Sequence, residues 1–302
     1  MKKNSLIVLL GPTGVGKTAL SLRLAKTFGC AIVSADSRQV FRELKIGTAV
    51  PSEEQLAKVP HYFIGNKSIT EHFSAGQYEA EALEILKKLF SENSVQMLVG
   101  GSMLYIDAVC KGLDDIPTVD AEVRKEVTAL YNEQGLAALQ QKLCEIDPVY
   151  YQTADLNNRQ RIIHALEVCI ATGNPYSNLL NHTRKERPFN IVKIGLTMDR
   201  KELYERINAR VDQMLEQGLL EEARQFYPFK QLNSLKTVGY RELFDYFDGN
   251  SSLEFAVEKI KQNSRRYAKR QLTWFRADEE IQWFEPHQDN EIVAEIKKQL
   301  SL

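Results

Sequence analysis

Short apolar runs alternate with helical spacing over the first third of this chain. Residues 6–10, 31–34 and 96–99 are largely apolar runs of four or five residues, which is typical of strands buried on both faces. Residues 18–28 and 77–89 repeat apolar positions every three or four residues, which predicts amphipathic helices. Because β and α segments alternate, we expect an α/β fold with a P-loop NTPase-like parallel sheet flanked by helices.

The pattern changes near Gly112, where the strand signals stop. Four segments with helical spacing follow, at residues 121–131, 135–144, 147–152 and 158–171. A charged stretch before Pro188 marks a second boundary, and residues 191–196 again predict a strand. We therefore expect a core domain from residues 1–113 and 189–302, and an all-helical insert at residues 114–188.

The last third is predicted to be mostly helical, over residues 201–226, 237–247 and 253–275. The final helix has one face that should pack on a core, with Val257, Ile260, Ser264, Tyr267, Gln271 and Phe275. It also carries seven Lys or Arg and no Asp or Glu from Lys259 to Arg276. This charge can lie on a solvated face, or it can contact phosphates while nearby aromatic rings stack on bases.

Composition narrows the class of protein. With 302 residues, 43% hydrophobic and 26% charged, the chain is typical of a globular protein with an ample core. The net charge of -1 neither favours nor opposes nucleic acid. The cysteines form no C-x-x-C pair, which argues against a zinc site or a disulfide framework. The first apolar run is too short for a secretory signal or a membrane span, so we expect a cytoplasmic protein.

The strongest motif is a G-x-x-x-x-G-K-T sequence between the first strand and the first helix. It consists of Gly11, Pro12, Thr13, Gly14, Val15, Gly16, Lys17 and Thr18. In this context, backbone N–H groups and a helix N-terminus form a cradle for phosphate, which Gly14 and Gly16 let approach closely. Lys17 can meet the terminal phosphate, and the Thr18 hydroxyl can ligate Mg²⁺. The chain is therefore predicted to bind a di- or triphosphate.

A second candidate, Asp36, follows the second predicted strand. Residues just beyond the carboxyl end of a parallel strand line the ligand crevice, so Asp36 should face the same cleft as Lys17. Its carboxylate can serve as a general base or as a Mg²⁺ ligand, or it can simply cap a turn. Ser37, Arg38 and Gln39 add donors beside it.

Two further segments leave alternatives open. The third strand ends in Gly100, Gly101 and Ser102 instead of the Mg²⁺-holding Asp of many ATPases. The paired glycines indicate close approach of a ligand or of another chain segment, or only a turn before a helix. Arg206 and Arg210 can reach past an apolar helix face, or they can pair with nearby glutamates in solvent.

Together these motifs resemble one family, the tRNA dimethylallyltransferases, also called bacterial isopentenyl-tRNA transferases. The likeness covers nearly the whole chain. Besides the phosphate loop it is carried by Ala35-Asp36-Ser37-Arg38-Gln39, Gly100-Gly101-Ser102, Arg161 with Ala165-Leu166-Glu167-Val168, Val238-Gly239-Tyr240 and Lys269-Arg270-Gln271-Leu272-Thr273-Trp274. The Asp-Ser-Arg-Gln and Lys-Arg-Gln-Leu-Thr-Trp sequences are far more specific than the phosphate loop, which a vast superfamily shares.

The resemblance implies transfer of a dimethylallyl group from dimethylallyl diphosphate to N6 of adenosine 37, beside the anticodon of tRNA. It implies Asp36 as the base near N6, with Lys17 and Arg210 beside the diphosphate. It also implies tRNA contacts by Asp36, Ser37, Arg38, Gln39, Ser102, Arg124, Gln160 and Arg161, to which the basic helix adds Lys269 and Arg270. The insert would clasp the anticodon stem-loop, with Mg²⁺ bound near Thr18 and the enzyme acting as a monomer.

Two other functions are compatible with the motifs. A nucleotide or small-molecule kinase would use Asp36 to deprotonate a hydroxyl or to hold Mg²⁺. A non-enzymatic RNA-binding switch would bind ATP only as a ligand. Product analysis separates these hypotheses, because prenyl transfer releases diphosphate and leaves modified RNA, whereas a kinase releases ADP.

Overall fold

The computed structural model of the protein describes residues 4–117, 119–181 and 183–301. The chain divides into two compact units, one formed by Met1–Lys111 with Glu186–Leu302 and one formed by Gly112–Lys185. The larger unit contains the β-sheet, and the described part of the smaller unit contains helices and connecting segments. None of the described helices is long and apolar enough to cross a membrane.

Six parallel strands form one sheet in the larger unit. They are β1 (Ser5–Leu10), β2 (Ile32–Ala35), β3 (His61–Tyr62), β4 (Val95–Gly100), β5 (Asn190–Leu196) and β6 (Gln282–Phe284), in the order β3-β2-β4-β1-β5-β6. This parallel sheet flanked by helices confirms the predicted fold class. The edge strands β3 and β6 were not predicted, because two or three half-exposed residues give no apolar run.

Helices connect and cover the strands. In chain order they are α1 (Lys17–Phe28), α2 (Glu53–Leu56), α3 (Ala75–Glu92), α4 (Met103–Lys111), α5 (Ala121–Ile146), α6 (Pro148–Thr153), α7 (Arg159–Thr172), α8 (Arg200–Glu216), α9 (Leu219–Phe226), α10 (Tyr240–Phe247), α11 (Leu253–Phe275) and α12 (Asp289–Leu300). In the smaller unit, α5 is interrupted at Gly135 and packs along α7. A hydrophobic core of its own, including Leu139, Leu143 and Ile162, holds that unit together.

The sheet is buried on both faces. Successive side chains of a strand point to opposite faces, and β1 shows this directly. Leu6, Val8 and Leu10 belong to one core cluster, whereas Ile7 and Leu9 belong to another. All five side chains are at most 1% exposed. The two cores fix the sheet from both sides, so the loops at its carboxyl edge start from rigid positions.

The sequence predicted one continuous helix at residues 201–226, and this prediction was wrong. The structure has two helices, α8 and α9, separated at Gly218, whose φ is +98°. Glycine readily adopts this left-handed conformation, which ends a helix. The break lets Glu222 of α9 accept N–H bonds from Lys45 at 3.0 Å, Ile46 at 2.9 Å and Gly47 at 2.9 Å. The break thereby fixes the loop that follows β2.

A buried ion pair anchors the segment that leads into β5. The Arg187 guanidinium lies 2.7 Å from a carboxylate oxygen of Glu79, and the two side chains are 8% and 10% exposed. Arg187 also donates to the carbonyls of Ala108 at 2.7 Å and Val109 at 2.9 Å, which belong to the last turn of α4. Arg187 therefore neutralises a buried carboxylate and caps a helix at the same time.

We expect Arg187→Met to lower the free energy of unfolding of the larger unit by about 3–5 kcal/mol, because the buried Glu79 carboxylate loses the guanidinium that lies 2.7 Å from it. Urea denaturation followed by tryptophan fluorescence measures this, since both tryptophans, Trp274 and Trp283, lie in that unit. The double variant Arg187→Met/Glu79→Gln is the control and should recover part of the loss. A single variant as stable as the parent protein would contradict the assignment.

Candidate active site

The phosphate loop connects β1 to α1. Gly16 precedes α1 with φ +107°, a conformation that glycine adopts without strain. The Lys17 ammonium donates to the carbonyls of Gly11 at 2.9 Å and Pro12 at 2.8 Å, so it folds back over the loop. The lysine is therefore held by the loop's own carbonyls, and phosphate binding by this loop stays a prediction.

Two cations and one carboxylate determine the electrostatics beside this loop. Burial and, to a smaller extent, the nearby Arg210 lower the pKa of Lys17 to about 7, with Asp36 partly opposing the shift. Burial also lowers the pKa of the Arg210 guanidinium, again with Asp36 opposing. Both groups are desolvated cations, so an anion bound in the loop would stabilise their charged forms.

Asp36 follows the last residue of β2. Its Oδ1 accepts N–H bonds from Arg38 at 2.8 Å and Gln39 at 3.2 Å, which is the turn-capping role left open by the sequence. Asp36 also lines a cavity at the carboxyl edge of the sheet. Both of these hydrogen bonds go to the same oxygen, so turn capping and a role in the cavity are compatible.

The glycines after β4 are explained by close approach of protein segments. A Cβ on Gly100 would lie 2.1 Å from the carbonyl oxygen of Ala35, the last residue of β2. Two residues further along, the Ser102 hydroxyl accepts the N–H of Ser37 at 2.8 Å and donates to the Ser37 hydroxyl at 3.2 Å. The loops that follow β2 and β4 are therefore joined directly beside Asp36.

The cavity that contains Asp36 has a volume of about 360 Å³. Its polar wall includes seven residues proposed from the sequence, namely Thr13, Asp36, Ser37, Arg38, Ser102, Arg210 and Arg270. Its apolar wall consists of Ile207, Val211, Met214, Leu219 and Ile260. The two walls together suit a ligand with an anionic end and a short hydrocarbon end.

A larger cavity, of about 920 Å³, lies on the side of α11 that faces α4. Its lining includes Met103, Ile106 and Trp274 but no residue of the phosphate loop, and Asp36 does not reach it. We assign the active site to the smaller cavity, because that cavity contains both the phosphate-loop residue Thr13 and the Asp36 carboxylate.

The two arginines of α8 have different partners. Arg206 lies 3.9 Å from Glu202 in an exposed ion pair, the solvated alternative. Arg210 instead donates to the Thr13 hydroxyl at 3.1 Å and lines the cavity. Both arginines therefore lie near the phosphate loop: Arg210 bonds Thr13, and a Cβ on Gly16 would lie 3.5 Å from Nη2 of the more exposed Arg206.

The cationic side chains of the basic helix α11 also differ in their partners. Lys261 pairs with Asp212 at 2.7 Å and Arg265 donates to Asn208 at 2.6 Å, so these two side chains attach α11 to α8. Lys269 and Arg270 are exposed, and Arg270 also lines the cavity. Arg270 is therefore available to a ligand in the smaller cavity, whereas Lys269 lines the larger cavity on the other side of α11.

Arg38 and Gln39 make internal contacts that the sequence did not predict. Arg38 donates to the carbonyls of Asn233 and Ser234, both at 3.1 Å. The Gln39 amide donates to the carbonyls of Thr48 and Ala49, also at 3.1 Å. Both side chains therefore hold neighbouring loops in place around the cavity, besides any contact with a ligand.

Three predicted tRNA-contact residues lie in the smaller unit. The Arg124 Nε on α5 is 3.6 Å from a carboxylate oxygen of the buried Glu167 on α7. Gln160 and Arg161 are exposed in the first turn of α7. The packing of α5 on α7 therefore brings these three residues into one unit.

The cavity wall includes residues that were not among the site residues proposed from the sequence, although Tyr267 was named there as a ring that could stack on a base. Tyr267 of α11 lines the cavity, and burial with the nearby Asp36 charge raises the pKa of its phenol to about 12. Lys236 and Thr237 also line it, from a loop that has no recognisable local signal. The sequence signal that could have pointed to such residues was a polar or aromatic side chain on the otherwise apolar face of α11. Tyr267 and Gln271 both occupy such positions.

A protein-family model described as IPP transferase matches residues 39–278. The chain is 58% identical over 295 residues to tRNA dimethylallyltransferase 1 of Bacteroides thetaiotaomicron, covering 98% of this chain and 96% of that protein. The crystal structure of the full-length tRNA isopentenylpyrophosphate transferase from Bacillus halodurans matches with a TM-score of 0.73 and 40% identity, over 99% of this chain and 97% of that one. A eukaryotic dimethylallyltransferase crystallised acting on tRNA has a TM-score of 0.75 and 25% identity, over 90% of this chain and 69% of its own.

We expect the affinity of the protein for inorganic diphosphate to fall as the pH rises above about 7, the lowered pKa of Lys17. Below that pKa the ammonium is charged and attracts the anion; above it, binding must take up a proton, at a cost of up to about one log unit of affinity per pH unit. Calorimetric titration between pH 6 and 9 measures this. In Lys17→Met the remaining pH dependence is that of diphosphate itself, so parallel curves for the two proteins would contradict the assignment.

Proposed function

This chain belongs to the IPP transferase family, and from that premise we propose how its cleft carries out the reaction. The protein transfers a dimethylallyl group from dimethylallyl diphosphate to N6 of adenosine 37, next to the anticodon of tRNA, and releases diphosphate. The observation that supports the residue assignment is one cavity that joins the Asp36 carboxylate, the phosphate loop and an apolar wall. Because the chain belongs to this family, we set aside the kinase hypothesis and the hypothesis of a non-enzymatic RNA-binding switch.

The donor lies with its diphosphate on the phosphate loop and its five-carbon chain against the apolar wall. A phosphate loop recognises phosphates and not what they are attached to, so the cradle that holds ATP in other proteins can hold this donor. Val211 and Met214 of the apolar wall lie one and four residues after Arg210 on α8, and all three line the cavity. The same helix therefore contacts both ends of the donor.

The reaction needs help at both ends, because the lone pair of an exocyclic adenine amine is delocalised into the ring. N6 attacks C1 of the donor, the bond from C1 to the diphosphate oxygen breaks, and the N6 proton passes to the Asp36 carboxylate. General base catalysis of this kind is worth roughly 10²–10⁴ in rate. Lys17, Arg210 and the loop N–H groups stabilise charge on the leaving diphosphate, at about 3–4 kcal/mol for one such donor.

The residues present fit a magnesium ion that enters with the substrate. The described residues hold no group of three His, Cys, Asp or Glu that could bind a metal, and Mg²⁺ commonly uses one or two protein oxygens together with substrate phosphates and waters. The Thr18 hydroxyl, at the start of α1, is the oxygen we assign to it. When bound, Mg²⁺ neutralises part of the diphosphate charge.

The target base must leave its stack to enter the cavity. Extrusion costs a few kcal/mol, least in a flexible loop, which favours the anticodon loop over a duplex. We assign contacts near the flipped base to Ser37, Arg38, Gln39, Ser102, Lys269 and Arg270.

The insert, residues 114–188, grips the anticodon stem-loop through Arg124, Gln160 and Arg161. The enzyme acts as a monomer in the cytoplasm, where its tRNA substrate is found.

We expect Asp36→Asn to slow prenyl transfer by about two to four orders of magnitude, because the amide cannot accept the N6 proton. The amide oxygen can still accept the N–H bonds that Oδ1 now receives, so the turn and the binding of both substrates should remain. Single-turnover transfer of labelled dimethylallyl to unmodified tRNA measures the rate. The matched control is Asp245→Asn, an exposed site on α10. Parental turnover in the Asp36 variant would remove Asp36 from catalysis.

We expect Lys269→Gln/Arg270→Gln to weaken tRNA binding and to flatten its dependence on salt concentration by about 0.7 per lost phosphate contact. Two contacts would reduce the slope of log affinity against log salt by ~1.4. The control is Lys297→Gln/Lys298→Gln, which removes the same charge from exposed positions of α12. Equal slopes in the two double variants would place the RNA site elsewhere.

A further inference from the structure

Gln271 is a polar residue at a buried position between the two halves of the active site. It lies on α11 and is 2% exposed. Its Oε1 accepts the N–H of Thr13 at 2.9 Å, and its Nε2 donates to the carbonyl of Gly101 at 2.8 Å. One side chain therefore joins α11, the phosphate loop and the segment that follows β4.

The partners of Gln271 define the orientation of its amide. A backbone N–H can only donate and a backbone carbonyl can only accept, so the oxygen must face Thr13 and the nitrogen must face Gly101. The approach is close, because a Cβ at position 101 would lie 2.4 Å from Nε2 of Gln271 and would displace that amide. No second rotamer of the amide satisfies both partners.

Each hydrogen-bond partner of Gln271 belongs to a segment that we assign to one of the two substrates. Thr13 belongs to the phosphate loop, and its hydroxyl accepts a hydrogen bond from the Arg210 guanidinium at 3.1 Å. Gly101 precedes Ser102, whose hydroxyl accepts the N–H of Ser37 next to Asp36. The Gln271 amide therefore lies between the groups assigned to the leaving diphosphate and the loop that carries the base.

We propose that Gln271 is a positioning residue that sets the distance and orientation between the phosphate loop and the Asp36 loop, and hence between donor C1 and the attacking N6. The proposal rests on the proposed function. Gln271 itself touches neither substrate. Its effect on rate comes from geometry, since a misplacement of about 1 Å in a reacting pair can cost 10²-fold.

The same bridge connects the phosphate loop to the wall that faces RNA. Ser264, Tyr267 and Gln271 recur at spacings of three and four on α11, so they share one helix face. Ser264 and Tyr267 line the cavity, and Gln271 continues that face to the phosphate loop.

The test compares Gln271→Met, which keeps the size and removes both hydrogen bonds, with Gln262→Met as the matched control. Gln262 lies on the same helix, is half-buried, and does not line the cavity. We expect Gln271→Met to lower the single-turnover rate at saturating substrates by about 10²-fold, measured at a temperature where both variants remain folded and with tRNA affinity close to that of the control. Its melting temperature should fall, because the buried Gly101 carbonyl loses its donor. Parental rate in Gln271→Met, or an equal loss in Gln262→Met, would overturn the proposal.

A second variant separates positioning from simple packing. Gln271→Glu keeps an acceptor for the Thr13 N–H, but its carboxylate has no donor for the Gly101 carbonyl. Burial raises the pKa of the new carboxyl, and below that pKa its O–H can donate to Gly101. The rate of Gln271→Glu relative to the parent should therefore rise as pH falls, whereas the ratio for Gln271→Met stays constant. Two constant ratios would mean that the hydrogen bond to Gly101 is irrelevant.

Binding of inorganic diphosphate distinguishes failure of this proposal from failure of the proposed function. Absence of prenyl transfer by the parent protein would refute the function alone. Independently of transfer, Gln271→Met should bind diphosphate about three- to tenfold more weakly, the effect of one hydrogen bond that no longer orients the Thr13 N–H. Unchanged diphosphate affinity in Gln271→Met would refute the positioning role.

Discussion

Close approach of β2 and β4 at their carboxyl ends is the constraint on which the rest of the site depends. Gly100 lies so near the Ala35 carbonyl that a Cβ there would be 2.1 Å away. Because the strands meet this closely, Ser102 reaches Ser37, and the Asp36 turn is held beside the phosphate loop. The cores on both faces of the sheet keep these strand ends in place. The position of the Asp36 turn is therefore set by how closely the two strands pack.

The charges of the cleft are arranged to be completed by a ligand. Burial lowers the pKa of Lys17 and of Arg210, and only Asp36 opposes the shift in both cases. Two cations desolvated in one place repel each other, and the Lys17 ammonium is satisfied by loop carbonyls instead of by a carboxylate. A bound anion stabilises the charged forms of both groups, so this pair of desolvated cations favours a ligand with an anionic end.

Local patterns predicted the interior of the fold well. The four central strands and α1, α3, α7 and α11 follow from apolar runs and helical spacing, because buried elements must present continuous apolar surface. The short edge strands β3 and β6 carry no such pattern. The break at Gly218 was missed because apolar spacing continues across it, and only the backbone conformation of one glycine redirects the chain.

The sequence by itself determined the phosphate loop and the place of Asp36, since both are set by their neighbours along the chain: a strand, a turn and a helix start. Tertiary structure alone decided which distant side chains join them. Arg210 meets Thr13 across 197 positions, and Gln271 meets the same residue across 258. Spacing along the chain carries no information about such pairs, because they depend on how α8 and α11 pack over the sheet. The physical reason is that hydrogen bonds between distant segments form only after burial has fixed both segments.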